Sequence, residues 1–451
     1  MVVDFYLVMN IMFCGMARTK GVKMRSVISV VIITLVVVVP RLYAGEGNTS
    51  QREPRVKLEL IWEAEIPKGV QKVVFLDEKG YNVFSVQCED PEGALRDKRV
   101  LMVEGDRLRY YEGDGMELVR EVELRGGHVV VSKNGRNIVT IESLERDTMK
   151  EGGYIDKPAV LRLYRWDGEE LGEVEISPGG WEYIDLYPLG NDRTVLMHLA
   201  GGEGLYNGIE VLVRHGGRLE EEVTDLEGSW VVDYAESGER ALVVLRNRYM
   251  VVIDGEGREE SRYICPRPFR GGYLSPRGNY IAEVTAGKYV MIYDRGGRLI
   301  AEHHVQGRGN YYAAFSPDER YLCVTPGPWR VYFFETETGE MLWEYEELEP
   351  DSFSFFYSPV VSETGISFIG ASRWQPLSVL GSAKRPKRIL AFDKSGNIIG
   401  TSKVFTVKTE KEREFYTWNP TPLIKVTRDG NFLLVRVPDK VLLYRIISNR
   451  N

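Results

Sequence analysis

Two short glycine turns alternate along this chain, and no other feature restricts its fold as strongly. The first occurs twice with nearly the same residues, as RHGGRLEE at 214–221 and YDRGGRLI at 293–300. Looser copies bring the total to seven: YYEGDGMEL (110–118), YRWDGEEL (164–171), VRHGGRLE (213–220), VIDGEGRE (252–259), IYDRGGRL (292–299), FETETGEM (334–341) and AFDKSGNI (391–398). Each is an apolar or aromatic run, a polar Gly-rich turn and a second strand-like run, the pattern of a β-hairpin. The second turn alternates with the first and occurs eight times, within 73–86, 129–141, 184–197, 231–245, 272–284, 313–324, 356–369 and 424–436. Its glycine stands at 80, 135, 190, 238, 278, 365 and 430, and Glu319 replaces it once. Glycine supplies the positive φ that such turns require.

One unit therefore reads strand A, turn, strand B, loop, strand C, turn, strand D. Units follow one another every 40 to 65 residues or so. Four antiparallel strands repeated at this period predict an all-β chain folded as a β-propeller of four-stranded blades. The helical periodicity that a TIM barrel or a doubly wound sheet would need is almost absent. Eight units predict eight blades, and merging one pair would give seven. The eighth unit ends after its C strand, KVLLYRII at 440–447. KLELIWEAEI (57–66) has no A–B hairpin before it and matches the D strand GEMLWEYEEL (339–348). The expectation is that 57–66 completes the last blade and closes the ring, which removes the exposed sheet edges of an open one.

The stretch AAFSPDERYLCVTPGPWRVYFFETETGEMLWEYE (313–346) resembles repeats of the WD40-like and quinoprotein-like propellers, in its F-S-P-D turn, its aromatic C strand and its T-G-x-x-x-W. The likeness is strong over this unit and the one before it and weaker over the rest. It implies a fold and no single activity, because such propellers include scaffolds, assembly factors and enzymes. In quinoprotein dehydrogenases the T-G-x-x-x-W motif recurs in most blades and locks neighbours together. Here Thr338, Gly339 and Trp343 match once, with Trp62 as a partial echo. The resemblance therefore implies no quinone, and no cofactor is expected.

The N-terminus has its own character. Lys20, Lys23 and Arg25 precede the 14-residue apolar run SVISVVIITLVVVV at 26–39, and a small residue at Ala44 offers a cleavage point. A spanning helix needs about 20 apolar residues, so 1–44 is expected to be a signal peptide, or failing cleavage an N-terminal anchor. Met24 would begin a conventional leader. The expected plan is 1–44 leader, 45–55 linker and 56–449 propeller, exported to an extracytoplasmic site, with membrane contact only through an uncleaved leader. Removing the one acid and five bases of 1–44 takes the net charge from −8 to −12. That field repels phosphates and argues against a nucleic-acid partner. Cys88, Cys265 and Cys323 are too few and too far apart for a disulfide framework and are read as buried small residues.

Strand direction alternates within a blade, so A–B and C–D turns share one face and B–C and D–A connections share the other. The long insertions were assigned by pattern to the second face: 88–98, 143–159, 200–207, 371–387 and 404–420. They belong to units 7, 8, 1, 2 and 3, a continuous arc once the ring closes. Loops on a rigid scaffold commonly carry function. The candidate binding face comprises Trp374, Trp418, Tyr416, Arg373, Lys384, Arg385, Tyr154, Tyr206, Trp181 and Trp230. Exposed Trp and Tyr suit partner hot spots and sugar stacking. For Trp181 and Trp230, at the entry to strand A, packing between blades is the competing role, and the basic run around Lys384 equally suits a solvated flank.

The sequence carries no recognisable catalytic signature. The five His residues show no metal-ligand spacing, His303 and His304 fall on opposite faces of one strand, and no G-x-S-x-G elbow or P-loop occurs in its setting. EGDGME (112–117) reads as a C–D turn rather than a calcium loop. The reading is thus a non-catalytic binding or assembly platform for a protein or polysaccharide, with no metal or catalytic residue assigned. The second reading is a propeller enzyme, lyase or hydrolase, acting on a carbohydrate or small polar substrate.

Overall fold

The computed structural model describes residues 56–448, except 68–69, 127, 144–157, 177–180, 202–206, 223–225, 227, 247, 268, 286–287, 307–311, 327–329, 348–352, 375–385, 407–422 and 437–439. The expected leader and linker lie outside the described residues. Within them, 32 strands form six four-stranded sheets and one eight-stranded sheet. The larger sheet is two four-stranded units joined by one parallel bridge, Arg218 to Glu173, between outer strands. The result is eight blades: 70–123, 128–176, 181–222, 229–264, 269–304, 312–346, 353–406, and 423–448 with 56–65. The strand Val56–Glu65 pairs antiparallel with Lys440–Ser448, so the first described segment completes blade 8.

Strand alternation builds the core. In the B strand of blade 4, Arg240–Leu245, Ala241, Val243 and Leu245 pack toward blade 3, while Leu242 and Val244 pack toward blade 5. Both faces of a blade are covered, so its middle strands read as near-continuous apolar runs. The same division recurs around the molecule. Eight apolar clusters each join one blade to the next, including blade 7 to blade 8 and blade 8 to blade 1. The ring is closed by packing as well as by pairing.

The recurring glycines have a packing reason. A Cβ on Gly396, in the C–D turn of blade 7, would come within 2.8 Å of the Trp343 ring of blade 6. Trp343 lies nearly parallel to Phe333 and Phe392, with centroids 5.0 and 5.4 Å away, and so locks the two blades together. Trp62 acts likewise across the closure, donating its indole N–H to the Asp114 carbonyl in the C–D turn of blade 1 at 3.3 Å. EGDGME is that turn, as read from sequence.

Several A–B turns nest in the same way on the A–B turn of the blade before. Gly190 abuts Asn134, Gly238 abuts the Leu189 carbonyl, and Gly430 abuts Ser362. Glu319, with φ +64°, explains its own exception. Its buried carboxylate reaches back to the turn of blade 5 and accepts from the Ser275 hydroxyl (2.6 Å), the Arg277 N–H (2.7 Å) and the Asn279 amide (2.7 Å). Replacing Glu319 with Ala removes three hydrogen bonds and keeps the strained φ, with an expected loss of about 2–4 kcal/mol. Glu319→Gly relieves the strain and should cost about 1 kcal/mol less. Urea unfolding midpoints of the two variants should fall in that order.

Blade 1 departs from the sequence reading. Residues 81–86 were expected to form its B strand. They make a single bridge, Leu76 to Asn82, and the B strand is Val100–Glu104. Val83 and Phe84 are buried against the cluster between blades 8 and 1 without continuing the ladder. The insertion 88–98 holds the helix α1 (Pro91–Asp97), whose N-cap Asp90 accepts from the Gly93 N–H at 2.9 Å. It lies between strands A and B, on the opposite face from the one expected. Cys88, Cys265 and Cys323 are free and buried, as anticipated.

Candidate functional site

Contacts between blades that are not neighbours locate the axis of the ring. Lys133, in the A–B turn of blade 2, ion-pairs with Asp233 of blade 4 and donates to the Tyr234 carbonyl at 2.7 Å. Its ammonium also stands 4.7 Å from the Tyr234 ring centre. Gln87 of blade 1 donates to the Glu236 carbonyl of blade 4 at 2.9 Å, and the Val86 N–H donates to the Glu236 carboxyl at 3.2 Å. Blades 1 and 4, like blades 2 and 4, are not neighbours. Such bonds form only where inner edges converge, so the A strands face the axis. Residues 86–87 of the blade 1 insertion cross its A–B end and give it a floor.

The walls divide by charge. Asp233 is fully engaged, accepting from the Leu274 N–H at 2.8 Å and the Tyr234 N–H at 2.9 Å besides Lys133. Asp185 of blade 3 accepts from the Tyr187 hydroxyl at 3.2 Å. Tyr187 in turn meets Tyr234 edge-on at 6.3 Å. Burial raises the Glu236 pKa, against the pull of Lys425 and Lys133. Across from these acids stand Lys72 and Lys425, in the A strands of blades 1 and 8. The Lys72 side chain reaches water, yet protein atoms crowd around it. That confinement, followed by the charges of Lys425, Arg436 and Lys133, pushes its pKa down to about 8. Arg436, at the end of the blade 8 B strand, donates to the Val70 carbonyl at 3.1 Å.

Residues named from the sequence fall elsewhere. Tyr154, Tyr206, Lys384, Arg385, Tyr416 and Trp418 lie outside the described residues. Trp181 opens the A strand of blade 3 opposite Gly201, and Arg373 and Trp374 end the B strand of blade 7 opposite Ser354 and Phe353. Those positions are on the B–C and D–A side. Trp230 is half-buried and packs on the cluster between blades 4 and 5. The sequence reading missed Lys72, Lys133, Asp233, Glu236 and Lys425. Their signal was a charge at or beside an otherwise apolar A strand, as in QKVVF, VVDY and LIKV. A separate cleft of about 250 Å³ opens at the rim between blades 1 and 2, lined in part by Arg99, Tyr110 and Trp166.

A closed ring of four-stranded antiparallel blades defines a β-propeller, and a solved structure agrees at the level of fold. The C-terminal WD40 domain of Sif2 matches with a TM-score of 0.50 and 9% identity, over 86% of this chain and 98% of that one. BamB from Moraxella catarrhalis matches with a TM-score of 0.49 and 12% identity, over 88% and 99%. The propeller domain of Cps50 (Swd1) from Myceliophteria thermophila matches with a TM-score of 0.42 and 10% identity, over 87% and 100%. No protein-family model matches the sequence, and no curated protein is similar to it.

Proposed function

We propose that this is an exported propeller that serves as a binding or assembly platform for a protein or surface polysaccharide. One observation carries the reading. The longest B–C and D–A connections, 144–158, 375–385 and 407–422, belong to blades 2 and 7 and to the link from blade 7 to blade 8. The strands that they join end on the B–C and D–A side of blades 2, 7 and 8, where the other connections are mostly shorter. Long connections on a rigid ring suit recognition of a large partner. The basic n-region and apolar run of the first 44 residues support export.

The test is a pull-down from the exported fraction of the native cell. The bait is residues 45–451, beside a version with 375–385 and 407–422 shortened. The expected result is a defined partner held by the first and lost by the second. A partner retained equally by both would remove the loop arc from the site.

A further inference from the structure

We propose that the rim cleft between blades 1 and 2 binds an arginine side chain presented by an extended segment of a partner protein. The cleft lies on the A–B and C–D side, so it is separate from the long loops and does not depend on them. It opens between the A–B turn and the C strand of blade 1, with Trp166 from the C–D turn of blade 2 as a further wall. Its volume is about 250 Å³. Drug-sized ligands take about 300–1,000 Å³, so the space suits one long side chain. The buried Leu76 and Val100 line it together with the rings of Tyr110, Tyr111 and Trp166. These rings are braced from both blades. Tyr110 meets Trp166 edge-on at 6.3 Å and donates its hydroxyl to the Trp166 carbonyl. A Cβ on Gly80, in the A–B turn of blade 1, would come within 2.1 Å of the Trp166 ring. The aromatic wall is therefore fixed before a ligand arrives, which lowers the cost of binding.

The charges at its mouth set the sign of the ligand. Asp77, Glu78 and Glu112 line the cleft, and Arg99 is the one cation that does. An open depression continues past Arg99 and Glu112 and adds Asp97, Asp114 and Glu117. Arg99 stands 3.2 Å from Asp97, 3.3 Å from Glu112 and 3.8 Å from Glu78, so one guanidinium serves three carboxylates. Asp114 has Lys98, and Glu117 has no ion-pair partner among the described residues. Six carboxylates thus share two cations. Acids alone would suit any cation, but the rings favour a flat one. A guanidinium stacks on aromatic faces, forks onto carboxylates and sheds water more readily than an ammonium. The chain already makes both contacts with its own arginines. Arg99 lies among the acids, and the Arg120 guanidinium stands 5.5 Å over the Tyr110 ring and donates to the Asp167 carbonyl at 2.5 Å. The depression beside the cleft, which the exposed Val119 also lines, leaves room for the residues flanking the incoming arginine. That continuity favours a peptide segment over a free small molecule.

Fluorescence anisotropy tests the proposal on residues 45–451, which include every described residue. The probe is a dye-labelled peptide with two arginines spaced by glycines, beside the same peptide with citrulline, the uncharged isostere, in place of arginine. The proteins are wild type, the double variant Glu78→Gln/Glu112→Gln, Arg99→Gln and the distant surface control Glu340→Gln. The expected result is saturable one-to-one binding of the arginine peptide, with the citrulline peptide about tenfold weaker or more. The double variant should lose about tenfold and the control nothing. Arg99→Gln should bind about threefold more tightly, because it releases Glu78 and Glu112 from the internal cation. No saturation would overturn the proposal, as would equal binding of the citrulline peptide or an equal loss in the control. Weaker binding by Arg99→Gln would mean that the cleft works through its positive charge, and would overturn it too. So would saturable binding of the neutral disaccharide cellobiose without binding of the arginine peptide. Glu78 and Glu112 are exposed, so the double variant should melt with wild type. If it does not, the citrulline peptide decides.

Discussion

A chain that starts at Pro67 is expected to show no cooperative melting transition, whereas one that starts at Gly45 shows a sharp one. The strand Val56–Glu65 supplies nine register pairs to Lys440–Ser448. Trp62 is 7% exposed and packs in the cluster between blades 8 and 1, and Val56 is 4% exposed in the cluster between blades 7 and 8. Loss of a buried tryptophan side chain alone costs about 3–5 kcal/mol. Total stability is only about 5–15 kcal/mol for ordinary domains. Truncation removes that side chain, its hydrogen bond to Asp114 and the remaining pairs together, and it bares the edge of Lys440–Ser448. Circular dichroism melting with size-exclusion chromatography reads the outcome. A truncated chain melting within a few degrees of the longer one would show that blade 8 needs only three strands.

Raising the pH from 5 to 8 is expected to weaken the fold, and Glu283→Gln should remove much of that slope. Glu283 is fully buried in the B strand of blade 5. One carboxyl oxygen accepts from the Tyr293 hydroxyl at 2.8 Å and the other has no partner among the described residues. Burial raises its pKa from 4.5 to about 7, and the Tyr293 hydrogen bond opposes the rise only in part. Below pH 4.5 both states hold the proton and there is no penalty. Between 4.5 and 7 the unfolded chain releases it first, so stability falls as pH rises and levels off above 7. The shift corresponds to roughly 3 kcal/mol at pH 8. Glu210 is shifted in the same direction by burial and by Glu221, but it is only half-buried, so water reduces its share. Urea midpoints at pH 5 and pH 8 measure the slope. If wild type and Glu283→Gln lose the same stability across that interval, the buried carboxyl is not its source.

The fold was legible because its determinants are local. A glycine at a turn and an apolar run on either side of it are neighbours in sequence, and the closing strand announced itself through Leu-Ile-Trp-Glu. Glu319 was visible as an exception, but its three donors at 275, 277 and 279 lie in the preceding blade and could not be read from its own turn. The B strand of blade 1 was misplaced for a related reason. YNVFSV alternates well enough on paper, yet Val83 and Phe84 pack in the cluster between blades 8 and 1 and the segment makes a single bridge. The axial contacts were illegible because they join residues far apart in the chain. Lys133 and Asp233 are 100 residues apart, and Gln87 and Glu236 are 149 apart, and no local pattern connects them.

The closing strand has a consequence in time. Its partner, beginning at Lys440, is synthesised 375 residues after Glu65. At about 5–20 residues per second, that delay is roughly 20–75 s. Each of the first seven blades can be assembled from hairpins as it emerges, but the strand that finishes the eighth is the oldest one in the chain and must wait for the youngest. Until then Val56, Trp62 and Ala64 have no place to bury. During that interval the first segment stays open to other partners, and a slower ribosome lengthens its exposure.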